Sequence, residues 1–284
     1  MIFSRKTMKM AVIGDPIDHS LSPFMHGKII EEHGYDALYI PVLVHGNDTA
    51  KFTKMAEYLE FCGFNATMPH KVNLLDIVDE ADNDARMIGA INTVQIRYGK
   101  TYGYNTDAPG MLAALKNRGF EINGADVMII GAGGASHAVV HALAGAGASS
   151  VTVLNRTVNK AKQLTDNIAC AQAAALTAEN LASCASSADL IINCTPLGMT
   201  GVKNAFDDLS FLDNTKAMAV DLIYSPWRTK FLSHAEECGL SVMNGLDLLI
   251  YQGLLSFQIF TDIELDLDAE YKYLFPLCMK KLQL

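Results

Sequence analysis

The sequence contains no apolar run long enough to cross a membrane and no tract of basic residues. A membrane helix needs about 18 or more consecutive apolar residues, and the residues before Lys9 lack the apolar segment of a signal peptide. The net charge is -9 at pH 7, which is unfavourable for binding nucleic acid. We therefore expect a cytoplasmic protein that has neither a membrane nor a nucleic-acid partner.

The six cysteines of the chain form no CxxC pair and show no spacing typical of metal ligands. Cys170 and Cys194 are flanked by apolar residues, so we expect them to be reduced thiols in a core. The sequence thus predicts no metal site. Half of the 284 residues are hydrophobic, which is enough for two compact domains with cores of their own.

A glycine-rich stretch begins where a predicted strand, 126–130, ends. The segment Gly131-Ala-Gly-Gly-Ala-Ser136 follows this strand and precedes an apolar helix at about 137–144 and a second strand at 150–154. This order is typical of a dinucleotide-binding βαβ unit, in which glycines let the backbone approach a pyrophosphate at a helix N-terminus. Ser136 stands at the third glycine position. The alternative is a glycine turn that binds no ligand.

The end of the second strand indicates which dinucleotide is bound. An NAD site usually has Asp or Glu at this point, to bind the ribose 2′-hydroxyl. Here Asn155, Arg156 and Thr157 follow Leu154, and Lys160 comes one turn later. Two cations and no acid favour the 2′-phosphate of NADP, because a guanidinium can bind phosphate through two hydrogen bonds. The alternative is that both cations belong to a solvated helix start.

Strands and helices alternate along the chain, which predicts an α/β fold with two domains. We expect an N-terminal α/β domain at 1–107, completed by 245–284. A Rossmann-type, doubly wound NADP-binding domain at 108–244 would lie between these segments. The last apolar helix, 246–260, should fold back on the first domain. Ser22 followed by Pro23 predicts a helix start with Ser22 as the N-cap.

Polar residues cluster where strands end or helices begin, which is where open α/β sheets bind ligands. These clusters are Ser20-Leu21-Ser22-Pro23, Asn65–Lys71, Ala90–Thr93, Asn105-Thr106-Asp107, Asn193–Met199, Asp221–Pro226 and Tyr251-Gln252-Gly253.

With these motifs in this order, from about Lys9 to Gly253, the sequence closely resembles the shikimate dehydrogenase family. The resemblance implies a two-domain enzyme that interconverts shikimate and 3-dehydroshikimate with NADP, and whose substrate domain, an N-terminal α/β substrate domain, is formed by both ends of the chain. We expect a monomer or homodimer. It implies that Lys71 and Asp107 are the catalytic pair. It implies that the substrate is bound by Ser20, Ser22, Thr67, Asn92, Tyr224 and Gln252. It implies that NADP is bound by Gly131, Ala132, Gly133, Gly134, Ala135, Ser136, Asn155, Arg156, Thr157, Lys160, Thr195, Met199 and Gly245.

A few residues depart from the family pattern, and none of them removes a catalytic group. The departures are Asp15 for asparagine, Met68 for valine, Ala108 for glycine, Lys160 for arginine and the charged Asp247. Lys160 leaves open how strictly the protein prefers NADP to NAD.

The role of Lys71 and the substrate also stay open at this point. Lys71 can move a proton to or from the reacting hydroxyl, or it can stabilise a developing alkoxide. Quinate, which has one more hydroxyl than shikimate, is an alternative substrate. A ligand-sensing relative should have lost Lys71 or Asp107, and a tetrahydrofolate-type dehydrogenase would not explain the Ser20–Pro23 and Asn105–Asp107 motifs. We interpret His19, His26 and His70 as packing or rim residues.

Overall fold

The computed structural model describes residues 4–202, 206 and 208–282. The chain forms two compact units. The first contains the residues up to Gly110 and Leu249–Cys278, and the second contains Met111–Leu248 and the residues from Met279 onwards. The chain therefore passes from one unit to the other after Gly110, Leu248 and Cys278, whereas the sequence predicted crossings after Asp107 and Asn244. No helix in the described part of the chain is long and apolar enough to span a bilayer.

The strands supply the two central sheets. In chain order they are β1 (Met8–Gly14), β2 (Ala37–Leu43), β3 (Gly63–Ala66), β4 (Glu80–Ala81), β5 (Thr93–Arg97), β6 (Lys100–Tyr104), β7 (Asp126–Ile130), β8 (Ser150–Asn155), β9 (Ala171–Ala175), β10 (Leu190–Asn193), β11 (Met218–Asp221) and β12 (Val242–Asn244).

The helices alternate with the strands in most of the chain. They are α1 (Ser22–His33), α2 (Thr49–Tyr58), α3 (Asn83–Ile88), α4 (Asp107–Asn117), α5 (Gly134–Gly145), α6 (Val158–Thr165), α7 (Ala178–Ser187), α8 (Lys230–Glu237), α9 (Gly245–Thr261) and α10 (Leu267–Leu282).

The first unit is built on a mixed sheet with the strand order β2-β1-β3-β5-β6-β4. Strands β5 and β6 pair antiparallel and form a hairpin across Tyr98-Gly99. Ile13, Phe64 and Val94 are fully buried in the core of this sheet. Helix α9 packs on the same unit: a Cβ on Gly63 would lie 2.4 Å from the ring of Phe260, so only glycine fits there.

The second unit is a parallel sheet with the order β12-β11-β10-β7-β8-β9. Counted within this unit, the strands follow the order 6-5-4-1-2-3 of a Rossmann fold, so the predicted fold class is confirmed. The order reverses between β7 and β10, and in such sheets the ligand crevice lies outside the carboxyl ends of the strands at this point. The residues immediately after β7 are the glycine loop.

The start of α1 differs from the prediction. Ser22 is the first helical residue, Leu21 is the N-cap, and no side chain caps the helix there. The hydroxyl oxygen of Ser20 instead accepts a hydrogen bond from the N–H of Ser22 at 3.3 Å. The prediction that Ser22 is the N-cap is therefore wrong, and its hydroxyl is available for another contact.

Several elements were absent from the sequence prediction, namely β4, β9, α3 and α10. A 3-10 turn covers Asn73–Asp76, and α5 begins at Gly134 rather than near His137 as predicted. The start of α10 does have a local signal, because a carboxylate oxygen of Asp266 accepts hydrogen bonds from the N–H groups of Asp268 and Ala269.

Candidate active site

Lys71 and Asp107 form an ion pair in the first unit. Nζ of Lys71 donates to Oδ2 of Asp107 at 2.6 Å, and the two side chains are 25% and 15% exposed. Lys71 lies in the turn after β3, and its backbone oxygen accepts a hydrogen bond from the N–H of Ile91. Asp107 is the first residue of α4. The pair thus joins two segments that are 36 residues apart in sequence.

Asn92 holds the carboxylate of this pair from the other side. Its amide nitrogen donates to Oδ1 of Asp107 at 2.8 Å and to the hydroxyl of Thr106 at 3.0 Å. Its amide oxygen accepts from the N–H of Thr106 at 2.8 Å. Asp107 therefore receives one hydrogen bond on each oxygen, from Asn92 and from Lys71. This arrangement fixes the orientation of the carboxylate before any substrate is bound.

Gln252 on α9 lies beside the same cluster. Its side-chain oxygen is 3.5 Å from the amide nitrogen of Asn92 and 3.5 Å from the hydroxyl of Thr106. A Cβ on Gly110 would lie 2.9 Å from Gln252, so the missing side chain at Gly110 lets α4 and α9 approach closely here. The structure thus brings together four residues that sequence analysis selected, Lys71, Asn92, Asp107 and Gln252.

A buried polar network supports this cluster, and sequence analysis gave its members no role. The amide nitrogen of Asn65 donates to the hydroxyls of Thr93 at 3.0 Å and Ser256 at 2.8 Å. The Ser256 hydroxyl also contacts that of Thr106 at 3.0 Å. Ser256 lies one helical turn after Gln252 and donates to its backbone oxygen. The i,i+4 spacing of two polar residues in an apolar helix is the signal that could have identified Ser256.

The network continues to the serines at the start of α1. The hydroxyl of Tyr39 donates to the side-chain oxygen of Asn65 at 2.8 Å. Ser22 is buried close to this phenol. Thr67 follows β3, and its methyl group would lie 2.5 Å from a Cβ on Gly14, which only glycine permits. Ser22 therefore lies beside the hydrogen-bonded network that holds Asn92, and Ser20 binds the N–H of Ser22.

The three histidines interpreted as packing or rim residues are His19, His26 and His70, and two of them are buried. His70 is fully buried, with its ring nitrogens bonded to the Thr49 hydroxyl at 2.7 Å and to the backbone oxygen of Val44 at 2.9 Å. His26 is fully buried and stacked on Tyr39. Burial lowers the pKa of His26 to about 3. Both rings are thus neutral near pH 7. His19 is exposed at the rim.

The second unit contains a pocket of about 400 Å³ formed by three stretches that are distant in sequence. Its lining includes Gly131, Ala132 and Gly133 from the glycine loop, Asn155, Arg156, Thr157 and Lys160 from the end of β8 and the start of α6, and Cys194, Thr195, Pro196 and Leu197 after β10. Eight of the thirteen predicted cofactor residues, which come from separate motifs, therefore lie around one cavity.

The glycine loop has the geometry that an anion site needs. Gly131 has φ +104°, and a Cβ there would lie 2.7 Å from the methyl of Thr195. By contrast, no heavy atom lies within 4 Å of a Cβ placed on Gly133 or Gly134. The loop backbone is thus open on that side, where α5 begins. The first N–H groups of a helix have no partner within the helix and attract negative charge.

Ser136 and Asn155 shape this loop through their side chains. The hydroxyl of Ser136, which is fully buried, donates to the backbone oxygen of Gly131 at 2.9 Å and accepts from the N–H of Gly133 at 3.1 Å. Asn155 accepts from the N–H of Ala132 at 3.2 Å. The serine at the third glycine position thus stabilises the turn that the two glycines permit.

Arg156 and Lys160 are exposed cations on the rim of the pocket. Within the described part of the chain, neither has an ion pair or a side-chain hydrogen bond. The N-cap of α6 is Thr157, whose side chain makes no capping hydrogen bond, so the N-terminus of this helix is also available. Two unneutralised cations and a helix N-terminus are together suited to a phosphate group.

Asp221, the last residue of β11, has a fully buried carboxyl group. No role was predicted for it from sequence. Its oxygens accept hydrogen bonds from the side chains of Asn193 at 3.0 Å and Thr229 at 2.7 Å. Burial raises the pKa of Asp221 to about 6. Asn193 in turn accepts from the hydroxyl of Thr195 at 2.6 Å. Asp221 therefore positions Thr195, a lining residue, through Asn193.

Six predicted residues of this unit lie outside the lining of the pocket. They are Gly134, Ala135 and Ser136 in the first turn of α5, together with Met199, Tyr224 and Gly245. Tyr224 follows β11 and Met199, which is 46% exposed, lies in the segment after β10. Gly245 begins α9, and a Cβ there would lie 2.1 Å from the backbone oxygen of Leu222. Close packing against the residues after β11 is thus a sufficient reason for glycine at this position.

Comparison with known proteins identifies the class to which this fold and site belong. Residues 12–94 match the family model of the shikimate dehydrogenase substrate-binding domain, and residues 113–222 match that of shikimate / quinate 5-dehydrogenase. The chain belongs to the shikimate dehydrogenase family. It is 38% identical to shikimate dehydrogenase (NADP(+)) of Methanococcus maripaludis, over 90% of this chain and 92% of that protein.

Two solved structures of relatives have the same fold as this chain. Shikimate 5-dehydrogenase of Thermus thermophilus, in complex with NADP(H) and shikimate, has a TM-score of 0.84 and 34% identity, covering 95% of this chain and 99% of that one. The ligand-free 5-ketofructose reductase of a Gluconobacter strain has a TM-score of 0.81 and 32% identity, covering 96% and 99%. Relatives with this architecture are thus named for different substrates, so the architecture alone does not identify the substrate.

Proposed function

We propose that the protein catalyses the reversible NADP-dependent reduction of 3-dehydroshikimate to shikimate, a step of chorismate and aromatic amino acid biosynthesis. In this proposal the first unit binds the substrate and the second unit binds NADP. The observation that carries it is the Lys71–Asp107 pair, oriented by Asn92, in the unit whose sequence matches the substrate-binding domain. We further propose that the protein works in the cytoplasm as a monomer or homodimer.

Lys71 and Asp107 are the proposed catalytic residues. Oxidation of a secondary alcohol requires that the hydroxyl proton leave as the carbon loses hydride. An ammonium group has three N–H donors, and Asp107 takes one of those of Lys71. In the reduction direction one of the remaining N–H donors can give its proton to the reacting oxygen, and in the oxidation direction the neutral amine can take that proton back. Alternatively, the lysine stays an ammonium and stabilises the alkoxide charge. Asp107 holds the lysine in place and, with Asn92, offers polar atoms to a neighbouring hydroxyl.

The remaining proposed substrate contacts come mainly from residues near the Lys71–Asp107 pair in the first unit. Ser20 and Ser22, with Tyr224, would bind the carboxylate of the substrate, and Thr67, Asn92 and Gln252 would bind its hydroxyls. Support comes from the burial of Ser22 close to Tyr39, whose hydroxyl donates to Asn65, because this packing restricts Ser22 in the absence of ligand. A site ordered in advance loses less conformational entropy when it binds.

The pocket of the second unit is the proposed NADP site. When bound, NADP accepts or donates the hydride. Residues 131–135 would hold the pyrophosphate through backbone N–H groups, with Ser136 keeping the loop in shape. Asn155, Arg156, Thr157 and Lys160 would hold the adenosine phosphate, and Thr195, Met199 and Gly245 are proposed nearer the nicotinamide. The uncapped start of α6 and the two unneutralised cations support the preference for NADP over NAD.

Initial rates with NADP⁺ and four alcohols test the proposal. The alcohols are shikimate, quinate, fructose and a secondary alcohol without a carboxylate, such as cyclohexanol. We expect rapid formation of NADPH with shikimate and a much lower kcat/KM with quinate. An equal or higher kcat/KM with quinate would contradict the substrate assignment. Turnover of fructose alone would place the protein with the ketofructose reductase, and no turnover of any of these alcohols would contradict an alcohol dehydrogenase activity.

A further inference from the structure

Three potential metal ligands meet in the second unit, outside the pocket described above. They are Asp213, His234 and Cys238, whose ligand atoms all lie within 4.8 Å of one another. The sequence spacing of the cysteines predicted no metal site. The cluster was missed because it combines one ligand of each type, and only two of the three are close in sequence.

Two of the ligands share one face of a helix. His234 lies in α8, and Cys238 is the C-cap residue of the same helix, whose N–H donates to the backbone oxygen of His234. Residues four apart in a helix lie one above the other. This spacing therefore points an imidazole and a thiol in the same direction.

The third ligand comes from a rigid turn beside this helix. Asp213 follows a 3-10 turn over Ser210–Leu212 and its N–H donates to the backbone oxygen of Ser210. Phe211 and Leu212 are buried in the same core as Phe231 of α8. Core packing thus holds the turn against the helix, and the carboxylate of Asp213 does not have to be brought in from solvent.

One carboxylate oxygen of Asp213 lies close to the ligand atoms of both His234 and Cys238. Oδ1 of Asp213 lies 2.7 Å from Nε2 of His234 and 3.6 Å from Sγ of Cys238. In tetrahedral zinc sites with ordinary bond lengths, O and S ligand atoms lie about 3.6 Å apart and O and N atoms about 3.4 Å apart. The O–S separation already has this value, and the O–N separation needs to open by about 0.7 Å.

The surroundings of the cluster favour a cation that arrives from solvent. The side chains of His234 and Asp213 are 32% and 49% exposed, so rotation that opens the O–N separation is not blocked by the core. Asp208 and Glu237 are close enough to interact electrostatically with His234 and Cys238, respectively. Both add negative charge to a site that already contains one carboxylate.

We propose that Asp213, His234 and Cys238 form a binding site for a divalent transition-metal ion of the zinc type. Imidazole nitrogen, thiolate sulfur and carboxylate oxygen are the ligands that Zn²⁺ takes in proteins, and a mixed set with a thiolate excludes Mg²⁺ and Ca²⁺. The thiol loses its proton to the solvent when the metal binds. The fourth position is filled by water. The bound ion joins the end of α8 to the turn at Ser210–Leu212 and stabilises this unit.

Metal titrations of the intact, untagged protein test the proposal. The protein is stripped with a chelator, kept reduced, and titrated with ZnCl₂ against a chromophoric chelator and with CoCl₂ by absorbance. We expect one Zn²⁺ per chain, a thiolate-to-cobalt charge-transfer band, and a higher melting temperature with Zn²⁺. No saturable binding, or binding without the cobalt–thiolate band, would overturn the proposal.

Three variants and one matched control locate the site. Loss of a ligand should weaken Zn²⁺ binding at least about 10-fold in Cys238→Ser, His234→Ala and Asp213→Asn, since even outer-shell changes have effects of this size. Asp213→Asn keeps a hydrogen-bond acceptor, so it separates metal binding from folding. Cys170→Ser removes another half-buried thiol of the same unit and should bind Zn²⁺ as the wild type does. Equal loss in Cys170→Ser, or none in Cys238→Ser, would contradict the assignment.

Discussion

In the first unit the candidate functional groups are side chains fixed by other side chains, whereas in the second they are backbone N–H groups and exposed cations around a glycine loop. Lys71, Asp107 and Asn92 form a continuous series of hydrogen bonds with the buried Thr106 and Ser256. Arg156 and Lys160 have no such partners in the described residues. The first arrangement is suited to orienting reacting atoms, and the second to attracting a charged ligand.

This difference has a consequence for mutagenesis. A change in the hydrogen-bonded network should act on the chemical step, because the groups there are already oriented without a ligand. A change at the exposed cations should act on the affinity for NADP, because their charge is first neutralised by the ligand. The predictions below test this division, beginning with the largest effect.

Replacement of Lys71 by alanine should lower kcat by about 10²–10⁴, the usual loss for a positioned proton-transfer group. The dissociation constant for NADP⁺ should stay unchanged, because Lys71 belongs to the first unit. Steady-state kinetics and a fluorescence titration with NADP⁺ measure the two values. Lys54→Ala, which removes an exposed lysine of the same unit, is the control. A Lys71→Ala enzyme with more than about a third of the wild-type kcat would place the chemistry elsewhere, since even the smallest expected loss is about a hundredfold.

The Lys71→Ala/Asp107→Ala double variant tests whether the two residues act as one catalytic unit. The two side chains are in direct contact, and contacting catalytic groups have non-additive effects. We expect the double variant to be little slower than Lys71→Ala alone, and Asp107→Ala alone to weaken both kcat and substrate binding. A kcat loss equal to the product of the two single losses would show that the residues act independently.

The buried Asp221 should make the stability of the protein depend on pH. Its pKa is raised from 3.8 to about 6 by burial, so the folded state binds the proton more tightly than the unfolded state. Its contribution to stability is therefore present below about pH 4 and is lost as the pH rises through about 6. Two pKa units correspond to roughly 3 kcal/mol at most.

Urea unfolding at several pH values measures this effect against Asp221→Asn, which cannot ionise. The stability of the wild type relative to this variant should fall by roughly 1–3 kcal/mol between about pH 4 and about pH 7. Asp166→Asn, which changes an exposed carboxylate of the same unit, is the control and should show no such trend. Parallel stability profiles for the wild type and Asp221→Asn would refute the raised pKa.

Replacement of Arg156 by alanine should have a smaller effect on activity than replacement of Lys71. Loss of one charge-assisted hydrogen bond is worth about 1.5–3 kcal/mol, so KM for NADP⁺ should rise about 10-fold or more while any NAD⁺ activity stays the same. Lys162→Ala removes an exposed cation of α6 outside the pocket lining and should leave both values unchanged. If Arg156→Ala lowered activity with both cofactors equally, Arg156 would have a structural role instead.

Sequence alone predicted the second unit better than the first, for a physical reason. The glycine loop and the end of β8 lie within one βαβ unit, where function follows from short-range order. In the first unit, Asn65, Thr93 and Ser256 meet only because α9 returns to the sheet, and no local pattern relates positions that are 191 residues apart. Their polar side chains became informative once the fold placed them together.

Two elements were missed for opposite reasons. Alanine favours helices, but Ala171–Ala175 is strand β9 because it extends the sheet beside β8. Tertiary pairing thus overrides local preference there. Helix α10 does begin with a local cap at Asp266, and its Tyr271 stacks on Tyr251 of α9 at 4.9 Å. Its start was predictable, whereas its packing partner was not.

We expect the first unit to act on the chemical step and the second on the affinity for NADP. This separation of roles is tested most directly by kcat and KM for NADP⁺ in the Lys71→Ala/Arg156→Ala double variant. Because one residue is expected to act on the chemical step and the other on cofactor affinity, their free-energy effects should add to within about 0.5 kcal/mol. The double variant should therefore have the kcat of Lys71→Ala and the KM for NADP⁺ of Arg156→Ala. A kcat well below that of Lys71→Ala, or a KM restored towards the wild-type value, would contradict it.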